Sequence, residues 1–289
     1  MSIKNNLAVF ILTYGRPEKI HTLNTLRKQN YTGDIFLVCS EDDKTLNKYQ
    51  EIKDVQKLVF NKNDYSNKFD IGDNFKDNRV VVFARNAIYD LAKKTKYKYI
   101  IVLDDDYTSF RYTSDADGKY LTKQKIIKNL DLMFLNLLSY YKLIEKNIGI
   151  KTLCIAQGGD FIGGEMSRVF QKKVTRKAMN FFMFNVNNPL EFLGRINEDV
   201  NSYVKKGNIG ELLLTIADIR LEQLDTQSNT GGLTEFYLDS GTYVKSFYTV
   251  LFSPSCTNIT LMGNKNKRLH HQIKWNNAVP KILNQKYKK

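Results

Sequence analysis

Apolar residues occur in short blocks along the first third of the chain, and polar residues close each block. Residues 7–13 predict a first strand. Pro17 then opens a helix in which Ile20, Leu23 and Leu26 share one face, since proline's missing N–H costs nothing in a first helical turn. Gly33 ends that unit, and residues 35–39 predict a second strand running into Ser40, Glu41, Asp42 and Asp43. Residues 64–78 are polar, carry Gly72 and many Asn and Asp, and read as a long loop able to cover a site. A short helix over 85–94 precedes a third apolar block. This alternation is what a parallel sheet with crossover helices requires.

The third block is the most informative. Lys98, Tyr99, Ile100, Ile101, Val102 and Leu103 lead straight into Asp104, Asp105 and Asp106. An Ile/Val-rich run of this length reads as a strand covered on both faces, and ligands of open α/β sheets collect beyond the carboxyl ends of such strands. Three adjacent carboxylates repel one another unless a cation sits among them, which points to a divalent metal. The competing reading is a polar turn whose aspartate caps the next element.

Further along, a hairpin-like stretch with Gly118 precedes a long helix predicted over 122–147, its core face running Ile127, Leu130, Phe134, Leu138 and Tyr141. Beyond Gly149 the regular alternation fades. Gly158-Gly159, Gly163-Gly164 and Gly231-Gly232 punctuate short apolar runs and mark tight turns. No repeat, low-complexity tract or linker divides the 289 residues, so one unit is expected.

Charge changes the picture more than overall composition does. With 44 Lys and Arg against 30 Asp and Glu, the net charge is +14, which suits a polyanionic partner. Basic residues gather at 93–98, 119–128, 172–177 and 265–274, with Tyr97, Tyr99, Tyr120, Phe170 and Trp275 among or beside them. That mixture serves phosphate contact and base stacking, or equally the solvated helix faces of a lysine-rich protein. Cys39, Cys154 and Cys256 are odd in number, widely spaced and set in apolar surroundings, which predicts reduced buried thiols. The apolar stretch near the start is too short to span a bilayer and lacks a signal-peptide cleavage pattern, so a cytoplasmic location is expected.

Thr13, Tyr14, Gly15 and Arg16 place a hydroxyl, a flexible backbone and a guanidinium where a phosphate or ribose can be held. Arg85 and Asn86 lie just before the aspartate-tipped strand. Glu198-Asp199 follows the Gly194 turn, and His270-His271 comes late in the chain. Each has a structural alternative: the acids can cap a helix, and the imidazoles can sit in the basic surface.

In this order the motifs resemble a GT-A glycosyltransferase. More narrowly, residues 10–17, 228–233, 243–248 and 270–280 resemble the TET-associated glycosyltransferases, phage-type enzymes that decorate hydroxymethylated pyrimidines in DNA. The resemblance implies a Rossmann-like, mainly parallel sheet flanked by helices, with a nucleotide-sugar half over about 1–150 and an acceptor half over about 151–289. It further implies a UDP-sugar donor bound by Thr13, Tyr14, Gly15, Arg16, Asp42, Arg85, Asn86, Asp104 and Asp105, with Mn2+ or Mg2+ on Asp106 and Asp104. His270 or His271 completes the metal or diphosphate site, with the choice between them open. Asp199 is the expected general base, with Glu198 next. Double-stranded DNA carrying a hydroxymethylated pyrimidine is the implied acceptor, and its candidate contacts are Gly158, Gly159, Lys172, Lys173, Arg176, Gly231, Gly232, Lys245, Lys267, Arg268, Lys274 and Trp275. Two rivals stand beside this reading: a transferase acting on polysaccharide or protein, and a non-catalytic DNA-binding protein on a degenerate transferase fold.

Overall fold

The computed structural model describes residues 2–76, 78–224, 233–263 and 267–279, with backbone alone over 233–242. The first part of the chain lays down β1 (Leu7–Leu12), α1 (His21–Lys28), β2 (Ile35–Ser40), β3 (Gln56–Phe60), α2 (Val82–Lys93) and β4 (Tyr99–Asp104). A hairpin of β5 (Tyr107–Ser114) and β6 (Tyr120–Ile126) follows, then α3 (Leu130–Asn147), β7 (Thr152–Gln157), α4 (Arg168–Lys172), β8 (Val174–Thr175) and β9 (Phe181–Asn185). The remainder forms α5 (Glu198–Asn208), β10 (Leu213–Gln223), α6 (Leu233–Phe252), β11 (Thr257–Met262) and β12 (Arg268–Ile273).

The main sheet runs β3-β2-β1-β4-β9-β7-β10-β5-β6, with β8 against β10, and β11-β12 form a separate pair. Strands β3, β2, β1 and β4 are mutually parallel, as are β7 and β10. Strand β9 lies antiparallel between β4 and β7. The sheet is therefore mixed and mainly parallel, and strands from both sides of residue 150 alternate within it.

Every residue of β1 and β2 is buried, as expected where helices cover both faces. Alternate side chains divide between two cores. On one face Ala8, Phe10, Phe36, Ile100 and Val102 meet Phe83, Ala87 and Ile88 of α2 and Val200 and Val204 of α5. On the other, Leu7, Val9, Ile11, Ile101 and Leu103 meet Leu23 and Leu26 of α1 and Phe134, Leu138 and Tyr141 of α3. The three cysteines are free and buried, and burial pushes the thiols of Cys39 and Cys154 up to about 12.

Three boundaries differ from those predicted. The long helix begins at Leu130 rather than residue 122: residues 120–126 pair as a strand with β5, the Ile127 N–H donates to Phe110 O at 3.0 Å, and Asn129 caps the helix by accepting from Leu132 N at 3.0 Å. The mixed polar run before Ile127 has no apolar face for a helix to bury. Pro17 opens only a 3-10 turn over Pro17–Lys19. Ile20 leaves helical geometry (φ −82°, ψ 77°) to reach the core, and α1 starts at His21. Helix α2 begins at Val82, which places Arg85 one turn inside it.

Candidate active site

The register of β1 against β4 sets Leu12 opposite Asp104, so the loops after these strands leave the sheet together. Thr13 Oγ1 donates to Asp105 Oδ2 at 2.8 Å, and Arg16 Nε donates to the same oxygen at 2.9 Å. Asp105 is 2% exposed, and its carboxyl is raised by burial despite the opposing pull of Arg16 and Thr13. The middle aspartate thus fastens the loop after β1 to the end of β4. Gly15, at φ 75°, turns that loop where a side chain would be strained, and its N–H donates to Asp43 Oδ2 at 2.7 Å.

Asp104 faces α2. Arg85 Nη2 stands 2.8 Å from Asp104 Oδ1 and 2.9 Å from Oδ2, and Arg85 Nε lies 3.5 Å from Glu198 Oε1. The guanidinium rests over Phe182 and Phe192 and is almost wholly buried. Burial works against its charge, but Asp104 and Glu198 outweigh that and raise its pKa. Asp106 is pushed up to about 7 by burial and by the charges of Asp104 and Asp105.

The rest of the cavity lining mixes two further acids with lysines and imidazoles. Asn197, in the left-handed region at φ 56°, turns the chain into α5, so that Glu198 and Asp199 enter the cavity from its first turn. Burial raises both acids, and the Asp199 charge raises Glu198 further, while the Val200 N–H, Arg85, Lys245 and Lys177 hold Asp199 back. Asn197 Nδ2 donates to Lys245 O at 2.8 Å and lies 3.4 Å from His271 Nδ1, joining α5, α6 and β12. His270 and His271 stack at 4.4 Å. Burial and neighbouring cations lower both, His271 to about 3, so both imidazoles are neutral at pH 7. Trp275 stacks flat on Tyr203 at 5.7 Å, and the Arg176 guanidinium lies 5.3 Å from the Trp275 ring centroid.

These groups enclose a cavity of about 710 Å³. Of the predicted site residues, Thr13, Tyr14, Arg16, Arg85, Asp104, Asp105, Asp106, Glu198, Asp199, Lys245, His270, His271 and Trp275 line it. Others lie elsewhere. Asn86 clamps Phe192 through both backbone groups, Nδ2 donating to its O and Oδ1 accepting from its N. Asp42 pairs with Lys62 at 2.9 Å in a smaller neighbouring cavity. Lys173 Nζ donates to Gly118 O, and a Cβ on Gly158 would collide with Glu222. Gly159, Lys172, Lys267, Arg268 and Lys274 are not on the cavity wall, and Arg176 reaches it only through Trp275. Gly231 and Gly232 lie outside the described residues.

The sequence reading missed Lys62, Gln157, Arg168, Lys177, Asn180 and Tyr203 on the wall. Lys62 follows β3 and lies 4.5 Å from the Tyr14 ring, so the rule that strand ends carry the site reaches it. Gln157 ends β7 by the same rule. Lys177 closes the basic run at 172–177 without standing out from it, and nothing local marks Asn180, which arrives on the loop before an inserted antiparallel strand.

Among the described residues no three His, Cys, Asp or Glu side chains converge into a ready-made metal cluster. Two carboxylates can still hold a hard cation when substrate phosphates complete its shell. Also among the described residues, no helix is long and apolar enough to cross a membrane.

No curated protein sequence matches the chain. Among solved structures, glucosyl-3-phosphoglycerate synthase from Mycobacterium tuberculosis, in complex with Mn2+, UDP and phosphoglyceric acid, aligns over 93% of this chain and 87% of its own, at 9% identity and a TM-score of 0.43. A mycobacterial protein aligns over 93% and 84% at 8% identity, with a TM-score of 0.46. The family model of the TET-associated glycosyltransferases matches residues 7–232, a span holding both the aspartate-tipped strand and the acidic start of α5; the chain belongs to that family and is a glycosyltransferase.

Proposed function

We propose that the enzyme takes a sugar from a UDP-linked donor, with a divalent cation held at Asp104 and Asp106, and transfers it to the hydroxyl of a hydroxymethylated pyrimidine in DNA. One observation carries the donor half of this reading: carboxylates and cations line one cavity, and Asp106 is pushed up to about 7 by burial and by the charges of Asp104 and Asp105. A carboxylate so placed gains from an incoming cation. Asp104 Oδ1 is buried and accepts no hydrogen bond, its 2.8 Å approach to Arg85 being an ion pair without hydrogen-bond geometry. Oxygen donors beside neutral imidazoles suit Mn2+ as well as Mg2+. When bound, the cation would neutralise the departing diphosphate as a Lewis acid.

The chain's own residues supply the rest. Lys177 and Lys245, on the lining of the same cavity, attract the donor's phosphates. Asp199 is the general base, because Glu198 is engaged by Arg85 whereas Asp199 stays partly open to the cavity. The Val200 N–H donates to Asp199 Oδ1 at 2.7 Å and fixes its direction. A raised carboxyl pKa makes it a better proton acceptor near neutrality. The acceptor half rests on the family resemblance, the net charge of +14, and the flat Tyr203–Trp275 stack on the cavity wall, a surface suited to an unstacked base.

The test is to incubate hydroxymethylated and unmodified duplexes with the enzyme, Mn2+ and a panel of UDP-sugars, and to weigh the DNA. A hexose or pentose mass gained only by the modified duplex is the expected result. No gain on any modified DNA removes the acceptor assignment. Hydrolysis of a UDP-sugar that survives Asp106→Asn removes the metal assignment.

A further inference from the structure

The segment between β7 and α4 throws two apolar side chains into solvent from a braced base. Ile162 is 85% exposed and Met166 is 78% exposed. Directly behind them Phe161 and Phe170 are buried with Ala156 and Ala217, and the Tyr120 ring packs on both aromatics at 6.5 and 4.9 Å. Met166 N donates to Gly163 O at 3.2 Å, Ser167 N to Gly164 O at 3.0 Å, and Gln171 Nε2 to Glu165 O at 2.9 Å. Gly163 and Gly164 hold left-handed φ values of 93° and 61°, which make the tight reversal between the two apolar tips. The tips are held out rather than left loose.

The loop also has an address. It leaves the cavity wall at Gln157 and returns to it at Arg168, so both ends of the loop are anchored at the cavity. Arg168 and Lys172 are exposed on the following short helix. The loop's own acids are Asp160, paired with Lys177 at 2.5 Å, and Glu165, which is exposed between the tips.

We propose that Ile162 and Met166 form a wedge that enters the base stack of duplex DNA and fills the gap left by the pyrimidine delivered to the cavity. This rests on the acceptor assignment above. A paired base leaves the helix at a cost of a few kcal/mol, and an apolar side chain inserted at the vacated step offsets part of that cost. Basic side chains at the wedge's foot meet the flanking phosphates. The exposed Glu165 between the tips repels phosphates and limits how closely the turn can approach the backbone. The wedge is a positioning device and does not touch the reacting atoms.

A structural role and a wedge role separate on the state of the substrate. Ile162→Ala, Met166→Ala and Ile162→Leu are compared with the parent on the same hydroxymethylated oligonucleotide, presented single-stranded, fully paired, and opposite an abasic site. Each alanine variant is expected to lower the duplex-to-single-strand ratio of kcat/KM about tenfold, with the abasic partner recovering most of the loss and Ile162→Leu keeping the parental ratio. Fluorescence of a 2-aminopurine next to the modified base should rise on binding the parent and rise less with the alanine variants. A parental ratio in both alanine variants overturns the wedge while leaving the acceptor assignment standing. If the parent labels no DNA in any form, the acceptor assignment falls and the wedge falls with it.

Discussion

The two walls of the cavity are built on opposite principles. The aspartate wall comes from consecutive βαβ elements, and its charges are largely answered inside the wall: Asp105 by Thr13 and Arg16, Asp104 by Arg85. The other wall is gathered from α5, α6, β12 and the loop before β9, and burial works against the charge of its ionisable groups. His270, His271 and Lys245 are all lowered, and Glu198 and Asp199 are raised. One wall closes most of its charges among neighbours from its own elements, and the other holds buried ionisable groups brought together from distant segments. The difference teaches that substitutions on the two walls should fail in different ways.

The sharpest break of that division is Asp106→Asn. With Asp106 a ligand of the proposed cation, its removal should forfeit several kcal/mol of transition-state stabilisation, roughly a thousandfold in kcat, with little change in DNA affinity by gel shift. Chelation should abolish turnover in the parent, and added Mn2+ should restore it; turnover that survives chelation separates this enzyme from metal dependence. On the other wall, Asp199→Asn should lower kcat about a hundredfold and leave KM for the donor nearly unchanged. A larger change in KM than in kcat would make Asp199 a binding group.

Arg85→Met tests the paired wall as architecture. It strands two carboxylates against an apolar floor, and a cost of about 3–5 kcal/mol is expected in urea unfolding. Lys245→Met, on the other wall, should cost under about 1 kcal/mol because burial already disfavours its charge. Equal losses would erase the contrast.

The smallest effect is a pH dependence. Asp106 moves from 3.8 to about 7 on folding, so the folded state binds the extra proton between those values and the parent loses stability as pH rises through that window. Asparagine has no such term. The melting temperature of Asp106→Asn relative to the parent should therefore climb from about pH 4 to pH 7 and then level off. Taking the difference cancels the histidines, whose lowered values give the opposite slope in both proteins.

The aspartate wall was legible because β1, β2 and β4 are fully apolar runs whose ends mark themselves, as Thr13, Asp104 and Asp106 do. Strand β3 is only partly buried and carries Gln56 and Lys57, so its end and Lys62 made no comparable signal. Lys172 and Lys173 stood out as a charge cluster, yet Lys173 is spent on Gly118 O and the Phe170 ring, while Lys177 a few residues on reaches the cavity. Charge runs report what water can touch, whereas a wall assembled from distant segments leaves no local period to read. Asn86 illustrates the converse, a polar residue beside Arg85 on a helix whose amide serves the backbone of Phe192.

Strand β9 also bears on how quickly the molecule can form. Leu103 of β4 has Phe181 as its ladder partner, so the aspartate-tipped strand stays an open edge until a segment far downstream is available to close it. The β3-β2-β1-β4 block closes short loops and can order early, whereas β9 must close a long one, and such topologies fold slowly. Until that closure the richest apolar edge in the protein is unprotected, which makes early intermediates prone to strand-to-strand association and dependent on chaperones at high expression.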